Sequence, residues 1–443
     1  MPDFNAVRFA GILWNAGVQR KGCVVMSKLI VDGSRPLSGS LRVQGAKNSA
    51  LPLLAASMLC NSPSVIHNCP ELSDVEASRR ILEYLGCRTD RDGDAVVIDP
   101  SGLERFDIPD SLMREMRSSI VFLGAIAARL GRAKISFPGG CELGPRPIDL
   151  HLAALRQLGL KIDEDHGWIN CRCDGRLHGA NIVLSFPSVG ATENIILAAV
   201  TARGTTEIIN AAREPEISDL ADYLTGCGAK ISGAGSSSIV IEGVPSIHGC
   251  EHRVIPDRIV AATLMAAAAA THGDITLTDV CLEHLGPVMP AFAEAGCEIT
   301  ADRGTLRIKG PRRLSAIKRV RTMPYPGFPT DAQAPLMAVT AIADGTSMFV
   351  ENIFASRFKH AAELNRMGAK INVEGRVAVV EGVERLLGTT VESTDLRGGA
   401  ALVVAALAAE GVTEINSLVH IDRGYEHIEN MFTSLGADVR RAD

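Results

Sequence analysis

An α/β fold of two globes, built from six repeats of about 70 residues, is what this chain of 443 residues predicts. Three observations point to it. One helix-and-strand pattern returns six times, beginning near Gly45, Met116, Pro187, Ile255, Phe328 and Thr394. In each return one helix is apolar almost all round. The composition, 46% apolar and 22% charged with 42 glycines and only 4% aromatics, suits a large globular protein packed through small side chains.

Each repeat opens with a polar turn that runs into an Ala-rich helix: SALPLLAASML, SSIVFLGAIAARL, ENIILAAVTA, RIVAATLMAAAAA, AQAPLMAVTAIA and GAALVVAALAA. A run of alternating character follows, as in TTEIINAA, DITLTDV, TSMFVENI and VTEINSL, and reads as a strand. A second helix with a single apolar stripe comes next, for example Leu152 to Gly159 and Glu426 to Gly436. Two short strands close the unit, such as AKIS with SIVIEG and AKINV with VAVVEG. A helix apolar on every side has to be buried. Three buried helices inside each globe, with sheets and second helices outside, satisfy this, and two facing globes leave a cleft for a ligand.

The net charge of −6, with no long basic run, argues against a nucleic-acid or membrane surface. Ala261 to Thr271 and Leu402 to Ala409 are too short to cross a bilayer. Residues 1–27 read as a non-structural extension, with Met26 an alternative start just before the strand-like Lys28 to Asp32. Eleven cysteines spread over the chain indicate a reducing, cytoplasmic setting rather than a disulfide framework. Cys171 and Cys173 form a lone C-x-C without a second pair, so no metal is expected. Cys87, Cys227 and Cys297 share a Gly-adjacent turn and read as small packing residues.

Charged residues recur where the buried helices begin: Lys47-Asn48, Arg117, Asp257-Arg258, Asp331 and Asp395-Arg397. A helix start offers free N–H groups and a positive dipole end, so basic residues there do nothing for the helix and suit an anion. The segment FPGGCELGPRPIDL, Phe137 to Leu150, has three Gly and three Pro around Cys141 and reads as a moving lid. A thiol there, five residues from Arg146, has the means to act as acid, base or nucleophile. In PYPGFPTDAQA, Asp331 directly precedes a buried helix and suits either an N-cap or a general base. Arg357, Arg397 and Arg423 add guanidinium groups fitted to carboxylate and phosphate. Arg423 stands before a helix starting near Gly424, with Asp422 and Glu426 close enough in sequence to pair with it. Walker A, dinucleotide-binding, H-E-x-x-H and G-x-S-x-G motifs are absent from the sequence.

From about Lys28 onward the chain resembles the UDP-N-acetylglucosamine 1-carboxyvinyltransferases. The resemblance rests on GAKN at Gly45 to Asn48, PGGC with GPRPIDLH from Pro138 to His151, SVGAT at Ser188 to Thr192, AAREPEI at Ala211 to Ile217, FPTD at Phe328 to Asp331, TDLR at Thr394 to Arg397, and HIDRGYE at His420 to Glu426. It implies an inside-out α/β barrel in two domains, 28–46 plus 255–443 and 47–254, the second carrying the lid. It also implies transfer of the enolpyruvyl unit of phosphoenolpyruvate to the sugar 3-hydroxyl, without a cofactor, as the committing step of peptidoglycan synthesis. Cys141, Asp331, Lys47 and Arg423 then become the catalytic set. Phosphoenolpyruvate falls to Lys47, Asn48, Arg117, Arg146, Arg397 and Arg423. The UDP-sugar falls to Asn48, Arg117, Arg146, Pro147, Ile148, Asp149, Leu150, Ser188, Val189, Gly190, Asp331 and Ile353, with Arg357 and Asp395 in support. The family's sensitivity to fosfomycin at the lid cysteine comes with it; the sequence leaves the oligomeric state open between a monomer and a weak oligomer. Phe186-Pro187 stands where many relatives have a basic residue, and Val121 where many have a larger aromatic. The shikimate 3-phosphate transferase shares the chemistry but lacks the PGGC lid, and a non-catalytic paralogue need not keep the full charged set.

Overall fold

The computed structural model describes residues 27–137 and 148–442, apart from the side chain of Arg117. The extension up to residue 26 and the centre of the expected lid, with Cys141, Arg146 and Pro147, lie outside the described residues. All six Ala-rich segments form helices: Lys47–Ser57, Phe122–Leu130, Val189–Ala199, Arg258–Ala270, Thr330–Thr340 and Leu396–Ala408. They are buried as the absence of a polar face demands: every residue from Ile259 to Ala270, and from Arg397 to Leu407, is shielded from solvent.

Around them the described strands make six separate four-stranded sheets, each of one pattern. A lone strand runs parallel to the strand that follows the buried helix, and an antiparallel pair completes the sheet, a hairpin in all but the one that holds Lys28–Asp32 and Asp438–Ala442. Thus Asn181–Val183 pairs parallel with Thr205–Ile209, which pairs antiparallel with Ser238–Glu242, itself bound to Lys230–Ser232. The parallel strand is borrowed from the preceding unit, and this closes each set of three units on itself. Glu251–Arg253, at the end of the third unit, returns to Ser64–His67 of the first. Ser38–Arg42 joins Asp274–Thr278, and Lys28–Asp32 lies between Val412–Asn416 and Asp438–Ala442.

Two hydrophobic cores result. One gathers residues between Ala46 and Val254, the other Leu29 to Val43 with residues from Val260 onward. The outer helices depart from the expected bounds. Asp149–Gln157 begins earlier than Leu152 and ends before Gly159, whose φ of +96° turns the chain. The last outer helix starts at Ile428 rather than near Gly424, because Leu418–His420 forms a 3₁₀ turn and His427 takes a left-handed conformation, φ 47°. No helix among the described residues is long and apolar enough to cross a membrane.

Candidate active site

Between the two cores lies a cavity of about 650 Å³, lined by the N-terminal ends of all six buried helices. Lys47 and Asn48 come from the first, Val121 from the turn leading into the second, and Ser188 to Gly190 from the third. Arg258 and Ile259, Thr330 and Asp331, and Leu396 and Arg397 come from the others. Six helix dipoles therefore present their positive ends to one space, with N–H groups that lack partners inside their own helices. The first and fifth helices share a further feature. Pro52 and Pro335 each occupy the sixth residue of their helix, Lys47–Ser57 and Thr330–Thr340. Proline has no N–H, so the carbonyls of Asn48 and Asp331 lack the usual helical partner four residues on.

Cations outnumber anions in one corner. Lys47 Nζ lies 2.5 Å from Asp74 Oδ2, and Arg423 Nε 2.9 Å from Asp74 Oδ1. The Asp74 carboxyl is almost wholly buried, which disfavours its charge, yet Lys47 and Arg423 outweigh burial and hold it below the usual carboxylate range. Lys47 is pulled down by burial; Asp74 acts against this, but Arg423 and Arg397 add to the depression. Two cations thus share one deep carboxylate, and Arg397 adds positive charge near Lys47.

Asp331 is held by two further guanidiniums. Arg357 Nη2 lies 2.8 Å from its Oδ1, and Arg397 Nη2 3.1 Å from its Oδ2. Both arginines are buried, at 3% and 2% exposure of their side chains, while Asp331 is open to the cavity at 25%. Asp331 does not cap its helix: Pro329 holds the cap position, and no side-chain cap bond forms there. Asp395 does cap, accepting the backbone N–H groups of Arg397 and Gly398 at 3.0 Å. This fixes the root of Arg397, whose tip reaches Tyr425 Oη at 3.2 Å. Burial opposes the charge on Arg397, but Tyr425, Asp331 and Asp257 raise its pKa above the ordinary guanidinium value. The buried Glu351 carboxylate accepts from Ile353 N at 2.7 Å, Phe354 N at 3.0 Å and the Thr330 hydroxyl at 3.0 Å, which sets the cavity wall beside Asp331.

Opposite stands an acidic wall. Glu216 pairs with Arg258 at 3.1 Å, and Glu193 projects from the third buried helix without a side-chain hydrogen bond among the described residues. Burial first, then Glu216 and Glu214, push the Glu193 carboxyl well above the ordinary range. An acid whose pKa rises on folding stabilises the fold at low pH and loses that contribution as pH climbs through the raised value. Glu193→Gln is therefore expected to raise the unfolding midpoint at alkaline pH with little effect at acid pH, read from denaturant titrations across the range.

Twelve expected residues line this cavity: Lys47, Asn48, Ile148, Ser188, Val189, Gly190, Asp331, Ile353, Arg357, Asp395, Arg397 and Arg423. Asp149 and Leu150 do not; they open the outer helix Asp149–Gln157, and Leu150 packs on the core. Arg117 begins the 3₁₀ turn Arg117–Val121. Sequence-adjacent partners for Arg423 give way to a distant one: it reaches Asp74, while Asp422 binds Arg441 at 2.7 Å and Glu426 accepts Glu71 N–H at 3.1 Å. Asp74, Glu193 and Tyr425 were missed. Asp74 reads as an ordinary first-turn acid of the helix Ser73–Leu85. Glu193, a lone carboxyl opening an otherwise apolar run, was a visible signal.

The family profile of EPSP synthase (3-phosphoshikimate 1-carboxyvinyltransferase) matches residues 31–432, and the chain belongs to this family of carboxyvinyltransferases. Its nearer kin are narrower in kind. The UDP-N-acetylglucosamine 1-carboxyvinyltransferase 2 of Caldanaerobacter subterraneus subsp. tengcongensis is 50% identical, covering 94% of this chain and 100% of that protein. The UDP-N-acetylglucosamine 1-carboxyvinyltransferase 1 of Symbiobacterium thermophilum is 49% identical over 95% and 96%. Among solved structures, the enolpyruvyl transferase NikO from Streptomyces tendae superposes with a TM-score of 0.86 at 26% identity, covering 94% of this chain and 99% of that one.

Proposed function

We propose that this chain transfers the enolpyruvyl group of phosphoenolpyruvate to the 3-hydroxyl of UDP-N-acetylglucosamine with release of phosphate, the first committed step of peptidoglycan synthesis. The observation that carries the reading is the corner in which Lys47, Arg397 and Arg423 share few carboxylates at the convergence of six helix N-termini, beside Asp331. Such a corner suits a small acid bearing both carboxylate and phosphate.

Asp331 takes the proton of the sugar hydroxyl as its oxygen bonds to C2 of phosphoenolpyruvate, and C3 gains a proton. The tetrahedral adduct then loses a proton from C3 and expels phosphate, leaving the enol ether. No redox change occurs, and the atoms balance without a cofactor. Lys47, Arg397 and Arg423 stabilise the charge of the adduct, joined by Arg117 and Arg146. Cys141 serves C3 protonation or product release from the lid. Asn48, Ile148, Ser188, Val189, Gly190 and Ile353 hold the UDP-sugar with Pro147, while Arg357 and Asp395 support Asp331 and Arg397.

The two cores and the strand pairing of Lys28–Asp32 and Ser38–Arg42 support a division into 28–46 plus 255–443 and 47–254. We place the protein in the cytoplasm, in keeping with nine described cysteines that are all free. The test is acceptor dependence. Phosphate release from phosphoenolpyruvate is expected with UDP-N-acetylglucosamine and not with shikimate 3-phosphate; the reverse preference assigns the chain to the sister activity, and release with neither marks a non-catalytic protein. Fosfomycin is expected to add one covalent adduct at Cys141, read by peptide mass, and to abolish turnover; full activity after complete alkylation refutes the lid assignment.

A further inference from the structure

Away from the cavity, three thiols meet on the 47–254 side. Cys227 Sγ lies 3.3 Å from Cys250 Sγ and 3.8 Å from Cys60 Sγ, and the Tyr223 hydroxyl stands 3.7 Å from Cys60 and 2.8 Å from the Ser64 hydroxyl. Cys60 and Cys227 are fully buried, whereas Cys250 is half-exposed. Cys227 follows the outer helix Pro215–Gly226, and Cys250 leads into the strand Glu251–Arg253. These two elements are already fastened by Asp219 and His252 at 2.8 Å.

We propose that Cys227 and Cys250 form a redox-responsive dithiol, oxidised by hydrogen peroxide or an organic hydroperoxide to an intramolecular disulfide, with Cys250 as the entry point. The sulfurs, 3.3 Å apart, need to approach by only about 1.3 Å to reach a bond of roughly 2.05 Å, and both are held by elements that already touch. The half-exposed Cys250 meets the oxidant first. Its contact with the Cys227 thiol favours the thiolate and lowers its pKa against the opposing effect of burial. Cys250 attacks one peroxide oxygen; the O–O bond breaks, a sulfenic acid forms, and water leaves, or the alcohol where the oxidant is an organic hydroperoxide. Cys227 sulfur then attacks the sulfenic sulfur, the S–O bond breaks, and the departing hydroxide takes the Cys227 proton and leaves as water. Two thiols lose two electrons, and one peroxide is reduced. The link ties the far end of the helix whose first turn carries Glu216 to the strand that leads the chain across to Asp257 and Arg258.

Trypsin separates the three thiols: Cys60 falls in residues 48–79, Cys227 in 214–230 and Cys250 in 231–253. The folded full-length protein is treated with stoichiometric hydrogen peroxide, alkylated, digested without reductant and mapped by mass. Cys141 falls in a different peptide, so its oxidation does not disturb the result, and Cys69, which shares residues 48–79 with Cys60, is told apart by the Cys60→Ser variant. The expected product joins 214–230 to 231–253, two hydrogens lighter than the separate thiol peptides, is reversed by dithiothreitol, and persists in Cys60→Ser. In Cys227→Ser the link disappears and Cys250 carries added oxygen. Recovery of Cys227 and Cys250 as unlinked peptides from the oxidised native protein overturns the proposal, and so does a dominant link between 48–79 and 214–230.

Discussion

Asp331→Asn is expected to lower kcat by about three orders of magnitude, within the range that a positioned general base contributes. The amide keeps the shape of the carboxylate, but its one oxygen can accept from only one of Arg357 and Arg397, which stand 2.8 Å from Oδ1 and 3.1 Å from Oδ2, and it cannot take the hydroxyl proton. Binding of the UDP-sugar, followed by calorimetry, is therefore expected to change only a few-fold. Stability should fall as well, because two buried guanidiniums lose their shared counter-charge. The split separates the two roles of Asp331: a purely structural residue would lose stability and binding together while leaving kcat of the folded fraction intact.

Lys47→Ala should reduce kcat/KM for phosphoenolpyruvate by about a thousandfold, the scale of one preorganised charge acting in a water-poor site. Lys47 roots in the first turn of the helix Lys47–Ser57, where its backbone N–H is accepted by Asp257 Oδ2 at 3.2 Å, so its position is fixed from both cores. The substitution leaves Asp74 with Arg423 alone. Because Lys47 and Arg423 together hold the Asp74 carboxyl low, the stability it contributes is present above the ordinary carboxylate pKa and is lost as pH falls through its depressed folded value. The Lys47→Ala variant should thus lose stability at less acidic pH than the parent, seen as an earlier onset of acid unfolding by circular dichroism.

The fold was legible because its signal is periodic. Six Ala-rich helices without a polar face leave no arrangement except burial, and the turn-flanked alternating runs beside them can only be strands on their surface. The candidate site was legible where it lies at helix starts, since Lys47 and Arg397 carry positive charge at a place in the repeat where a helix has no need of it. Less visible was everything set by contact between distant units. Asp74 is an unremarkable acid in sequence; it matters because its helix faces Lys47 and the turn bearing Arg423, which lies 349 positions further along the chain. The boundary of the last outer helix failed for a local reason, the left-handed His427, which no apolar stripe reveals. The thiol cluster was equally hidden: Cys60 lies in the first unit and Cys227 and Cys250, 23 positions apart, in the third, and Cys227 alone reads as a packing residue. The shared proline of the first and fifth helices, by contrast, is plain in KNSALP and TDAQAP once the repeats are aligned.

The reaction we propose is an addition to C2 of phosphoenolpyruvate followed by elimination of phosphate, both assigned to the corner formed by Lys47, Arg397, Arg423 and Asp331. Turnover of phosphoenolpyruvate with UDP-N-acetylglucosamine in deuterium oxide, followed by NMR of the product, tests it directly. Addition turns C3 into a methyl group carrying one solvent deuteron, and elimination removes one of its three hydrogens, so deuterium is expected in the vinyl group of a 3-O-enolpyruvyl sugar. A vinyl group free of deuterium, or labelled pyruvate released with the sugar unchanged, would contradict the account.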